Sequence, residues 1–153
     1  MLIVGVGNPF RGDDGIGPYV IATLMEQPCE GVTLIDGGTD AMTLIDTIKD
    51  QSGPVIIVDA VDMKRAPGTI EVFKPEQAKV NLAGDAMSTH GFGLAEMLKL
   101  LETLEIAADI TIVGMQPADI SFREGFSEPV EAKIDELVQT IRREFICSAK
   151  QLS

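Results

Sequence analysis

The sequence predicts a three-layer α/β/α sandwich, with a five-stranded, mostly parallel sheet holding one antiparallel strand between two helical layers. Three observations lead there. Five short apolar, β-branched runs punctuated by glycine read as strands, and helical apolar patterns separate them. Several runs are apolar without alternation, as strands must be when helices cover both of their faces.

The strands are "LIVGV" from Leu2, "VTLI" from Val32, "VIIVDAV" from Val55, "TIEVF" from Thr69 and "ITIVGM" from Ile110. Helices are expected from Gly15 to about Met25 and from about Met42 to Asp50, so the chain opens as βαβαβ with a crossover after each of its first two strands. The link Asp62–Gly68 is too short for the dozen or more residues a parallel crossover needs, so the fourth strand should be antiparallel. Lys74 to Thr89 has no clear period and the length of a functional connection. Leu94, Met97, Leu98, Leu101 and Leu104 then mark one amphipathic helix, and Val130, Ile134, Leu137, Val138, Ile141 and Phe145 another. Ser127 is placed to cap the latter, with Glu128 and Glu131 in its first turn and Arg142 and Arg143 near its end, matching the helix dipole. Residues 1–146 read as one domain and residues 147–153, "CSAKQLS", as a disordered tail.

At 153 residues the chain can bury roughly 70% of its unfolded surface in one core, without a metal or disulfide staple. A net charge of −12, from 24 acidic and 12 basic residues, leaves no basic face for nucleic acid. The same acidity gives no reason to expect more than a monomer. Cys29 and Cys147 have no CxxC or CxxH spacing, which disfavours both a disulfide framework and a thiolate zinc site. No apolar run nears the ~18 residues of a membrane span. The expected location is the reducing cytoplasm.

The first loop, "GVGNPFRGDDGIG" from Gly5 to Gly17, resembles a nucleotide fingerprint but departs from it. Its glycines are spaced G-x-G-x-x-x-x-G, Pro9 removes a backbone donor, and Asp13 with Asp14 would repel a phosphate. A Gly-Lys-Ser/Thr ending is absent as well. One aspartate, Asp13, is expected to cap the helix that follows. Asp59 lies inside an apolar run near the carboxyl end of a central strand, where a buried charge needs a cation, a donor or a raised pKa.

His90, the one histidine, sits in "STHGFG" at the start of a helix. Ligands of open α/β sheets bind outside the carboxyl ends of the strands, where the loops after the first and third strands emerge. If the His90 helix starts on that edge, Asp14, Asp59 and His90 converge. Two oxygen donors and one nitrogen leave coordination positions open, which suits a catalytic or substrate-borne zinc or nickel ion. A Ser-His-Asp or Cys-His triad would have to recruit the same histidine, and there is no GxSxG elbow.

Taken in order, "GVGNPFRGDDGIGP", "DGGT" at Asp36 to Thr39, "VDAVDM" around Asp59, "APGTI" from Ala66, "STHGFGLAEML" around His90 and "GMQP" from Gly114 resemble the maturation endopeptidases of [NiFe] hydrogenases. The resemblance runs from about Met1 to Phe145. It implies a soluble α/β protease that removes a C-terminal extension from the hydrogenase large-subunit precursor after nickel insertion. Asp14, Asp59 and His90 fall on the family's three metal-associated positions, so that the nickel carried by the precursor serves as the recognition signal. Asp36, Gly37, Gly38 and Thr39 fall on a loop implicated in substrate handling. Two other readings stay open: a non-catalytic nickel-sensing or chaperone module, and a peptidyl-tRNA hydrolase, which shares a "GLGNPG"-like first loop but expects a histidine soon after it. Which carboxylate would act as general base is also open.

Overall fold

The computed structural model describes residues 1–77 and 94–151 of the chain. Five strands form one sheet: β1 (Leu2–Val6), β2 (Thr33–Gly38), β3 (Val55–Ala60), β4 (Ile70–Phe73) and β5 (Ile110–Met115). Their spatial order is β2-β1-β3-β5-β4. All neighbours are parallel except β4, which runs antiparallel to β5, as the short Asp62–Gly68 link requires.

The unbroken apolar runs serve two cores at once. Leu2, Val4, Val55 and Ile57 pack on one face with α2 (Ala41–Lys49) and α3 (Leu94–Thr103). Their sequence neighbours Ile3, Ile56 and Val58 pack on the other with α1 (Ile16–Met25) and α5 (Ile134–Ile141). Successive side chains point to opposite faces of a strand, so every residue of β1 and β3 is buried.

The C-terminal helix keeps its predicted apolar phase but not its predicted continuity. It begins as α4 (Glu128–Glu131), breaks where Lys133 swings to φ −113° and ψ −1°, and resumes as α5. Val130, Ile134, Leu137, Val138 and Ile141 are nonetheless all buried on one side. Beyond Ile141 the helix widens into a π-type stretch (Arg142–Cys147) and ends as α6 (Ser148–Gln151). The segment expected to hang free from Cys147 is therefore helical as far as Gln151. Ile146, buried against the α1 core, anchors its start.

β1 and β3 lie side by side, while their following strands lie on opposite flanks. This is the topological switch point, and its carboxyl edge is where such sheets open a crevice. α1 crosses that edge in backbone contact with the strands. A Cβ on Gly17 would stand 2.3 Å from the Val6 carbonyl oxygen and 2.7 Å from that of Val58, and one on Gly5 would stand 2.2 Å from the Gly17 oxygen. Alanine in a helix is ordinarily favoured over glycine by about 1 kcal/mol, but overpacking here costs more. Gly17→Ala is expected to lower stability by about 2 kcal/mol or more, read as a fall in the urea midpoint at unchanged m-value. An unchanged midpoint would show that α1 can lift away at no cost.

Candidate functional site

Asp14 and Asp59 are both fully buried at this edge, each 0% exposed. Asp14 ends up there because the chain leaves β1, turns at Gly7 (φ +141°) and winds a short 3-10 turn over Gly12–Gly15. At Gly7 a Cβ would lie 1.9 Å from the Asp14 carbonyl oxygen, so only glycine lets the turn close over the strand end. The turn packs against β3. Asp14 Oδ2 accepts the Asn8 backbone N–H at 2.9 Å, which directs the carboxylate back across the loop.

Asp59 comes from β3 itself, opposite Gly114 in the parallel register with β5, and both of its carboxylate oxygens are shielded from solvent. By strand alternation it shares its face with Val55 and Ile57, the side carrying α2 and α3. α3 leads into β5 at the amino edge, so its first residue, Leu94, lies toward the carboxyl edge, in one cluster with Val61 and Met63 just past β3. His90 precedes it in the chain but lies outside the described residues. Among the described residues alone, no three histidine, cysteine or acidic side chains form a group that could hold an ion.

Asp13 is not a cap for α1. It is 1% exposed, and its carboxylate accepts four hydrogen bonds from across the site: Ala118 N (2.8 Å), Asp119 N (2.9 Å), Ser127 N (2.7 Å) and Ser127 Oγ (2.7 Å). The physical reason is demand. The β5–α4 loop brings three part-buried N–H groups to one place with no strand or helix partner, and a carboxylate satisfies them all. Ser127 does occupy the N-cap position of α4, with extended backbone (φ −63°, ψ 154°), but its hydroxyl donates to Asp13 instead of accepting from the helix.

Asp36, Gly37 and Gly38 belong to the end of β2 rather than to a free loop, and Thr39 follows it. Gly38 has φ +52°, and its carbonyl accepts Gly7 N at 2.8 Å where the β1–β2 register shifts. Asp36 Oδ1 accepts Gly38 N at 2.9 Å, closing a turn on the same edge as Asp14. The sequence reading missed Gln116, in "GMQP". Buried at the end of β5, it accepts Met63 N (2.7 Å) and Arg65 N (3.3 Å) on Oε1 and donates to Asp62 Oδ1 (3.2 Å). It therefore ties the loop after Asp59 to β5. The Lys64 side chain and the Gln116 amide hold Asp62 below the usual carboxylate range, although burial opposes them. Ser121 and Arg123 hold Asp119 at about 2, through the hydrogen bonds that close its turn.

A doubly wound sheet with two buried carboxylates at its switch point defines an α/β protein that gathers acidic side chains at the carboxyl ends of its strands. A family model described as hydrogenase maturation protease matches residues 18–144. The chain belongs to that family. The hydrogenase 2 maturation protease of Escherichia coli is 30% identical over 144 residues, 92% of this chain and 87% of that protein. The hydrogenase expression/formation protein HupM of Azotobacter chroococcum is 34% identical over 140 residues, and the match covers 88% of this chain but only 66% of that relative's length. The solved structure of the hydrogenase maturating endopeptidase HybD from E. coli superposes with a TM-score of 0.79 at 29% identity, covering 96% of this chain and 92% of that one.

Asp13→Ala removes four hydrogen bonds to one carboxylate, so it should cost about 3 kcal/mol or more of unfolding free energy in a denaturant titration, since each bond to a charged group is worth about 1.5–3. A loss below about 1 kcal/mol would show that water replaces the carboxylate and that the brace is dispensable.

Proposed function

We propose that the chain is an endopeptidase that removes the C-terminal extension of a [NiFe] hydrogenase large-subunit precursor after nickel has been inserted, with the nickel carried by the precursor as recognition signal. The observation that carries this reading is the pair Asp14 and Asp59, two carboxylates sunk at the switch-point edge of a chain in the hydrogenase maturation protease family. Two buried carboxylates suit a divalent cation, and they leave it open positions for donors from the substrate. His90, just ahead of α3, would supply the third, softer donor.

In this reading the substrate brings its ion to the edge, and Asp14 and Asp59 complete the ion's shell. The ion then holds the scissile peptide in place. Its charge polarises the carbonyl, or lowers the pKa of a bound water toward ~7, so no protein nucleophile is needed. A carboxylate takes the proton released by the attacking water. Asn8 fixes the orientation of Asp14 through the bond from its N–H, and Asp36 to Thr39 form the rim that receives the polypeptide. Because the remaining ligands come from the substrate, the free protein should hold nickel or zinc only weakly.

The test is to mix the protein with nickel-loaded and nickel-free precursor and follow intact mass. The C-terminal peptide should be lost only from the loaded sample, and both Asp59→Ala and Asp59→Asn should abolish the loss while circular dichroism stays native. Stable complex formation without any mass loss would favour a non-catalytic nickel-sensing module. Cleavage of the nickel-free precursor at the same rate would remove the ion from recognition.

A further inference from the structure

We infer that Phe10 and Phe122 are specificity-determining residues of this site, seating apolar side chains of the polypeptide that flank the bond to be cut. The inference rests on the endopeptidase reading above. Phe10 is 67% exposed and Phe122 is 82% exposed, yet both sit on loops at the Asp14 edge rather than on the outer faces of helices.

The two loops are joined backbone to backbone. Arg11 and Arg123 form a parallel bridge in which Arg123 N donates to the Phe10 carbonyl (3.0 Å) and Gly12 N donates to the Arg123 carbonyl (3.0 Å). Phe10 and Phe122 thus stand at equivalent places, each one residue ahead of a bridged arginine. Phe122 is further pinned from both sides. Ser121 donates to Asp119 through N (2.9 Å) and Oγ (2.6 Å), and Arg11 donates Nε to the Ile120 carbonyl (3.2 Å) with its guanidinium carbon 5.3 Å from the Phe122 ring centre. Asp13, next in chain to Asp14, anchors the same ribbon through Ala118, Asp119 and Ser127.

Holding a benzyl group in water on an ordered loop adds little to folding, because neither ring is buried against the core and a cation–π contact at an exposed site is weak. It does reduce the ordering cost of binding, and rigid aromatics with flanking arginines are the composition of interface centres. The ribbon that carries the rings also carries Asp13 and Asp14. A polypeptide whose ion reaches Asp14 therefore comes to the ribbon that carries the two rings. The fitting partner is an extended segment with apolar side chains beside its metal centre.

The experiment measures steady-state cleavage of nickel-loaded precursor by the wild type, Phe10→Ala, Phe122→Ala, the double variant and Phe122→Leu. Each single alanine should raise KM about tenfold or more with kcat little changed, since burying one such side chain is worth at least that factor. Phe122→Leu should restore most of the loss. Both positions are exposed, so native circular dichroism and an unchanged urea midpoint are expected throughout. Unchanged KM in the double variant, with the wild type active, would overturn the inference and leave the endopeptidase reading standing; an inactive wild type would sink that reading instead. A wild-type dimer in light scattering that the double variant loses, at unchanged KM, would also overturn it by assigning the rings to a second copy of the chain.

Discussion

The contact on which the site depends is the bare backbone meeting of α1 with β1 and β3 at Gly5 and Gly17. With side chains at these positions the helix would ride higher over the sheet, and the 3-10 turn before it could no longer lie against β3. The sheet alone places Asp59, because β3 is central and its fifth residue must fall near the carboxyl end. Asp14 is different: it reaches the same edge only because the loop folds down between Gly7 and Gly17. The glycines that resemble a nucleotide fingerprint thus serve close approach, and what they deliver to the edge is a carboxyl side chain.

The tandem aspartates divide the work. Asp13 holds the loop that arrives after β5, while Asp14 stays at the strand ends, where its Oδ2 accepts the Asn8 N–H. Four donors converging on one buried carboxylate fix the backbone from which its neighbour projects. Gln116 repeats the device on the β3 side, linking the backbone after Asp59 to β5. Each site carboxylate thus has a polar brace close by in the fold.

Much of this was legible in the sequence. Apolar runs without alternation announced buried parallel strands, a seven-residue link forced β4 to reverse, and a carboxylate inside "VIIVDAV" pointed to the edge. What was not legible depended on partners far away in the chain. Asp13 sits 114 residues from the Ser127 it braces, and nothing local distinguishes it from a helix cap. The break at Lys133 leaves the apolar phase of the C-terminal helix intact, so periodicity could not reveal it. The helical end through Gln151 was missed because a four-residue polar turn has no apolar face to read. β2 runs longer than the apolar pattern predicts because Asp36 and the two glycines after it look like a turn, yet Asp36 and Gly38 pair with the end of β1. His90 lies outside the described residues, so its place rests on its position four residues ahead of Leu94.

The central claim is that an ion carried by the substrate meets Asp14 and Asp59. The most direct measurement is nickel-edge X-ray absorption on a nickel-loaded precursor, made uncleavable at its scissile bond, with and without the protein. Adding wild-type protein should introduce new oxygen or nitrogen scatterers into the nickel's first shell, and Asp14→Ala together with Asp59→Ala should prevent the change while the complex still forms. An identical nickel spectrum in the free precursor and in the wild-type complex would contradict the account.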